Sequence, residues 1–240
     1  MSDNILNLRE KYLASLTPLM SAVLNSDINK VKQLLELGAD VLAVNDYDFG
    51  NGILYYAARQ DNLEIIKILL DTDVDINQKD RDSYKQSPIF TALTQSGIPV
   101  LKTFLERGAN PDIQDKYKMT TLHWAVTREG QIEAIKTLLK FGANVNTKNH
   151  KGITPLISAV ITGIMEYIQI LVLAGAEMNT AAKDGFTELM YASYYGHEEI
   201  VKYLLANDAD KNAIAKKGET ALSIAKKKNF DSIVVILESN

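Results

Sequence analysis

Apolar residues return along this chain in a fixed phrase. Two large apolar residues close a helical run, a glycine or its substitute breaks it, and an alternating stretch follows, as in "LLKFGANVN" over 138–146. The phrase recurs at Leu34 ("LLELGADVL"), Leu69 ("LLDTDVDIN"), Phe104 ("FLERGANPD"), Leu171 ("LVLAGAEMN") and Leu204 ("LLANDADKN"), with starts 35, 35, 34, 33 and 33 residues apart. Self-similarity at a fixed period of a few tens of residues is the mark of a stacked repeat array. A second landmark precedes each phrase: "TPLMSA" at Thr17, "GILYYA" at Gly52, "SPIFTA" at Ser87, "TTLHWA" at Thr120, "TPLISA" at Thr154, "TELMYA" at Thr187 and "TALSIA" at Thr220. Seven openings thus face six closings, and the last repeat lacks its exit.

Each opening reads as a helix start. A Thr or Ser side chain there accepts from a backbone N–H of the first turn, and a proline just after it loses nothing, because that N–H would be unpaired anyway. Pro18, Pro88 and Pro155 occupy this slot. Leu122, Ala125 and Val126 follow at helical spacing, and a polar break such as "REGQ" or "YYGHE" starts a second helix. In that helix Ile135, Leu138 and Leu139 are expected on one buried face, matched by Ile200, Leu204 and Leu205. Gly142 is expected past the helix end in the left-handed conformation, where glycine carries no steric penalty. Asp73 and Asp208 replace it in two repeats and are expected there as weakened caps costing about 1 kcal/mol each. Stretches such as "NVNTKNHKG" then carry the chain through an extended turn to the next opening. Neither helix of a repeat buries its apolar face alone, so neighbours must stack. Residues 1–16 are expected to cap the first repeat, with Ile5, Leu6, Leu8, Tyr12 and Leu13 covering it.

On these residues the chain resembles the ankyrin-repeat family. The match to D-x-x-G-x-T-P-L-H-x-A-x-x-x-G-H, a leucine-rich helix and G-A-D-V-N is closest in "KDGFTELMYASYYGHEEIVKYLLANDADKN" from Lys183 and in "HKGITPLISAV" with "LVLAGAEMN". Seven in-phase matches cover about residues 17–238, and Gly52, Thr121, Glu188 and Ala221 depart from the pattern. The resemblance implies an all-α solenoid, an α-α superhelix of about seven helix-turn-helix repeats with short β-hairpin-like turns, in one domain over 17–238. With 46% hydrophobic and 23% charged residues and no linker-like stretch, composition agrees with one continuous domain.

Composition excludes several chemistries. The chain has no cysteine, hence no disulfide, thiolate nucleophile or thiolate metal ligand. "MSDNILNLREKYLASL" is charged where a signal peptide needs an apolar core, and nowhere do about 18 apolar residues run together. A cytoplasmic monomer without membrane contact is expected. A net charge of -4 opposes sequence-independent binding of nucleic acid. No phosphate-cradling glycine motif or nucleophile elbow occurs, and "HEEIV" lacks the second histidine of a zinc-binding helix. The run "DTDVDINQKDRD" at 71–82 lacks the glycine and glutamate of a calcium loop. His123 and His197 fall in slots where the resemblance implies structural hydrogen bonds. No cofactor, metal or catalytic residue is therefore expected.

The resemblance further implies that a protein partner meets the concave side, made of turn tips and the exposed face of each first helix. Carried over by position, that surface comprises Phe49, Arg59, Tyr84, Tyr117, Met119, Arg128, Phe186, Tyr194 and Tyr195. Exposed aromatics are the residue types that anchor interfaces. The plainer reading of Phe49, Tyr84, Tyr117 and Phe186 is that they pack along the row of turns. Lys211, Lys216, Lys217, Lys226, Lys227 and Lys228, opposed locally only by Glu219, are expected to solvate the terminal repeat. The function implied is a non-catalytic protein-interaction scaffold. The alternative is an inhibitory or neutralising partner, or a host-directed effector, that occludes another protein's active site.

Overall fold

The computed structural model describes residues 10–81 and 84–239, which leaves Ile5, Leu6 and Leu8 of the expected cap outside the described residues. The chain divides into two compact units, Met1–Tyr117 and Lys118–Asn240.

The first unit holds α1 (residues 10–15), α2 (Pro18–Leu24), α3 (Ile28–Glu36), α4 (Ile53–Arg59), α5 (Leu63–Leu70), α6 (Pro88–Gln95) and α7 (Ile98–Glu106). Between α3 and α4, strands β1 (Val44–Asn45) and β2 (Asn51–Gly52) pair antiparallel across a tight turn, Val44 opposite Gly52. First helices pack on first helices, α2 on α4 on α6, and second helices do likewise, α3 on α5 on α7. The second unit repeats the scheme with α8 (Thr121–Val126), α9 (Ile132–Lys140), α10 (Pro155–Thr162), α11 (Met165–Leu173), α12 (Glu188–Tyr195), α13 (Glu198–Ala206), α14 (Ala221–Lys228) and α15 (Asp231–Ser239). There α8, α10, α12 and α14 form one layer, while α9 packs on α11 and α13 on α15. Helices of six to nine residues are too short to persist alone in water, so this layering is what holds them.

The expected caps form in part. Thr17 and Thr154 accept from the N–H groups of Met20 (3.1 Å) and Ile157 (3.2 Å), and Thr120 and Thr220 form reciprocal boxes with His123 and Ser223. Ser87 and Thr187 make no such bond, and their hydroxyls are buried without a partner. At the helix exits Gly38, Gly108, Gly142 and Gly175 are left-handed, as is Asp208 (φ 63°). Asp73 is not. Helix α5 stops at Leu70, and the Leu69 carbonyl accepts both the backbone N–H (3.0 Å) and the hydroxyl (2.6 Å) of Thr72, so the chain leaves without a left-handed residue. The expected cap penalty at Asp73 is therefore absent.

A second correction concerns the leucine pair. Leu138 and Leu204 are fully buried, whereas Leu139 and Leu205 lie half-buried at the margin. Spacing explains it: Ile135 and Leu138 stand one turn apart on the inner stripe, and the next residue is rotated by about 100°.

Within each unit, two kinds of bond tie successive repeats together. Asn77 accepts from the backbone N–H of Asn110 (2.9 Å), Asn146 from Glu177 (2.9 Å) and Asn179 from Asp210 (2.7 Å). Asn146 and Asn179 also donate to the carbonyls of Gly175 and Asp208. At the turn tips, backbone N–H groups reach back one repeat: Arg81 to Phe49 O, Lys116 to Tyr84 O, Lys183 to Lys151 O and Lys216 to Asp184 O.

Candidate functional site

The residues singled out by position fall at turn tips and the ends of first helices, and each unit presents its own set. In the first unit, Phe49 ends the tight turn in the left-handed conformation (φ 56°) with 60% of its surface exposed. The neighbouring Arg81 forms an ion pair with Asp46. Arg59 is exposed at the last turn of α4. Tyr84 and Tyr117 meet edge to face with ring centroids 5.9 Å apart, yet 44% and 38% of their surfaces stay open. They therefore serve the junction between successive turns and still offer ring surface to a partner.

In the second unit, Tyr194 and Tyr195 at the end of α12 are exposed and meet edge to face at 5.1 Å. Lys228 from α14 places its ammonium 3.8 Å from the Tyr194 ring centre, close enough for a cation–π attraction, and His197 stacks on Tyr195. Arg128 is exposed and lies over the Trp124 ring, with its carbonyl accepting from the Tyr167 hydroxyl (2.9 Å). Two residues are less open than their positions imply. Met119 is half-buried, and Phe186 is half-buried because its ring packs 5.4 Å from Tyr191. Tyr191 has no counterpart in the sequence-based set, yet it lines a surface groove with His150, Lys151, Ile153, Lys183 and Asp184. Its hydroxyl donates to Asp184 (3.3 Å), and burial, then the Asp184 charge, push its pKa up to about 12.

His123 and His197 build structure. His123 is fully buried; its Nδ1 accepts from the Thr120 N–H (3.2 Å), which leaves the proton on Nε2 to donate to the Ile153 carbonyl (3.0 Å) one repeat on. His197 Nε2 lies 3.4 Å from the Ile161 carbonyl. Carboxylates of the 71–82 run serve the turns: Asp75 accepts from Asn77, Asp80 from Gln86, and Asp71 pairs with Arg107. Among the described residues no group of three or more His, Asp or Glu is placed to hold a metal. Among them too, no helix is long and apolar enough to cross a membrane. The terminal lysines are partly neutralised, Lys226 by Glu238 (2.8 Å) and Lys227 by Glu219 (3.5 Å). The Glu238 pairing brings together residues of different helices.

One buried group stands apart from any surface. Glu188, at the first position of α12 where three other repeats carry proline, is 1% exposed and its Oε1 has no partner. Burial raises its pKa to about 7, against the pull of nearby backbone N–H groups of Glu188, Thr180 and Asn179 and of Lys148.

Comparison with known proteins adds to this geometry. A family model described as ankyrin repeats (3 copies) matches in overlapping windows over residues 3–80, 19–115, 73–149, 89–182, 122–215 and 165–240. The chain is similar to the nuclear factor NF-kappa-B p105 subunit of Gallus gallus, 30% identical over 156 residues, which is 64% of this chain and 16% of that protein. It is similar to inversin of Canis lupus familiaris, 32% identical over 58% of this chain and 13% of that one. It is also similar to ankyrin repeat protein OPG189 of Variola virus, 38% identical over 42% of this chain and 18% of that one. The chain thus spans less than a fifth of the length of these relatives.

Proposed function

The chain belongs to the ankyrin-repeat family, whose repeats mediate protein–protein interaction, and from that premise we propose that it is a non-catalytic binding module. The partner docks on the side of the turn tips and first helices, which is concave by the family resemblance. The observation that carries this reading is the placement of exposed rings: Phe49, Tyr84, Tyr117, Tyr194 and Tyr195 all lie on that side of their own unit. Large rings left in water cost free energy that a partner recovers by covering them, and aromatics of this kind dominate interface energetics. Arg59, Met119, Arg128 and Phe186 complete the surface.

The reading takes the chain as a cytoplasmic monomer. Affinity capture with the purified chain, followed by mass spectrometry, identifies the partner. The Phe186→Ala, Tyr194→Ala, Tyr195→Ala variant then tests the face: affinity for the captured partner should fall by several kcal/mol, at about 2 per anchor, and the melting temperature should fall only modestly, through the lost contact of Phe186 with Tyr191. Unchanged affinity beside a large loss of stability would assign these rings to packing and reject the face. A stoichiometric complex that abolishes the partner's own activity would narrow the function to inhibition.

A further inference from the structure

Four helix lysines of the second unit are answered by carboxylates: Lys136 by Glu133, Lys202 by Glu198 and Glu199, Lys226 by Glu238 and Lys227 by Glu219. Those at the turn tips, Lys151, Lys183, Lys216 and Lys217, are exposed and enter no ion pair among the described residues. At the tips of the first unit, Arg81 is paired with Asp46. The carboxylates at the tips of the second unit have other partners: Asp184 accepts from the Phe186 N–H and from the Tyr191 hydroxyl, and Glu219 pairs with Lys227 of α14 (3.5 Å).

The tip row is also fixed in register. Lys183 N–H donates to Lys151 O (2.9 Å) and Lys216 N–H to Asp184 O (3.1 Å), so each tip is bonded directly to the next. Apolar surface runs beside the charges: Ile153 and Tyr191 line the groove with Lys151 and Lys183, Phe186 packs on Tyr191, and Ile214 is 70% exposed.

We propose that this row, Lys151, Lys183, Lys216 and Lys217 beside the Phe186–Tyr191 pair, docks an acidic segment of a partner protein that carries apolar side chains between its carboxylates. The inference rests on the protein-binding reading above and names the partner's chemistry. Charge complementarity selects the acid, and the interleaved apolar surface favours a peptide over a polyphosphate backbone. Geometry sets a spacing as well. Stacked helices lie about 8–10 Å apart, and a peptide in the polyproline II conformation advances about 3.1 Å per residue with about three residues per turn, so a carboxylate at every third residue stays on one side and meets one tip per repeat.

The test uses the full chain and three fluorescent probes in anisotropy titrations. They are a synthetic peptide of about twelve residues repeating Glu-Ser-Leu, the same composition with its glutamates clustered at one end, and an oligothymidylate of about equal charge. The evenly spaced peptide is expected to bind most tightly and to weaken about tenfold between ~50 and ~300 mM NaCl. Reversing Lys151, Lys183, Lys216 and Lys217 to glutamate should weaken it by about tenfold or more, the four glutamine changes by less, and Lys226→Glu with Lys227→Glu hardly at all. Trp124 fluorescence and circular dichroism confirm the fold of each variant. Failure of the spaced peptide to bind, binding indifferent to the tip lysines, equal binding of the clustered peptide, or tighter binding of the oligonucleotide would each overturn the proposal. A captured partner that depends on Tyr194 and Tyr195 but not on the lysines would overturn it while leaving the protein-binding reading intact.

Discussion

Replacing Glu188 by glutamine should make the second unit more stable, and only above mildly acidic pH. The carboxyl is 1% exposed, and its pKa is raised from 4.5 to about 7, chiefly by burial. A group whose folded pKa lies above its unfolded one binds more protons in the folded state between the two values, so stability falls as pH rises through that window. Below about pH 4.5 both states are protonated and no penalty exists; above about pH 7 the full penalty applies. The difference of 7 less 4.5 corresponds to about 3 kcal/mol at 1.36 kcal/mol per unit. Glutamine keeps the shape and removes the charge, so Glu188→Gln should gain up to about 3 kcal/mol near pH 8 and little near pH 5. Trp124, the sole tryptophan, lies in the same unit, so urea denaturation followed by its fluorescence reports the right transition. Glu188→Pro, which copies the residue at Pro18, Pro88 and Pro155, should follow the same trend. Equal urea midpoints for wild type and Glu188→Gln near pH 8, or a variant less stable there, would refute the burial argument.

Three other outcomes follow from the packing. Leu138→Ala should cost roughly 2–5 kcal/mol, because Leu138 is fully buried, and Leu139→Ala less than about 2 kcal/mol; reversed values in chemical denaturation would overturn the assigned helix phase. His123→Ala should destabilise the second unit by about 2–4 kcal/mol in the same experiment, since it strands the buried Thr120 N–H, removes the bond to the Ile153 carbonyl and empties a fully buried site, and a neutral result would show that water replaces the imidazole. Gly196→Ala should cost at least about 1 kcal/mol, because φ is 76° and a Cβ there would come within 2.7 Å of the Phe230 ring; an unchanged melting temperature would count against that contact.

The repeat phrase made most of the helices legible, because helix starts and stops are local chemistry: Thr17, Thr154 and Gly142 act through their own neighbours in sequence. Where a neighbour one repeat away decides, the sequence is silent. Glu188 reads only as a departure from the proline slot, and it is the folded repeats around it that make it a buried carboxyl. Phe186 is a local case: Tyr191 follows in the same repeat, and the turn folds the Phe186 ring onto its own first helix. Lys228 read as a solvated charge, while the chain brings it over Tyr194 from the next first helix. Asp73 was misread for a different reason: α5 ends early and Thr72 closes it, a substitution of one exit chemistry for another. On the candidate surface the packing of Tyr84 with Tyr117 along the row of turns is legible in the sequence, whereas the contact of Tyr194 with Tyr195 is not.

The joints made by Asn77, Asn146 and Asn179 imply something about how such a gene changes. Each asparagine bonds to backbone atoms of the following repeat, and backbone atoms are the same whatever side chains that repeat carries. A copied or deleted stretch of about one period therefore meets its new neighbour with a working joint at once, before any compensating substitution. Length along such a stack is free to drift by whole periods while the faces of individual repeats diverge.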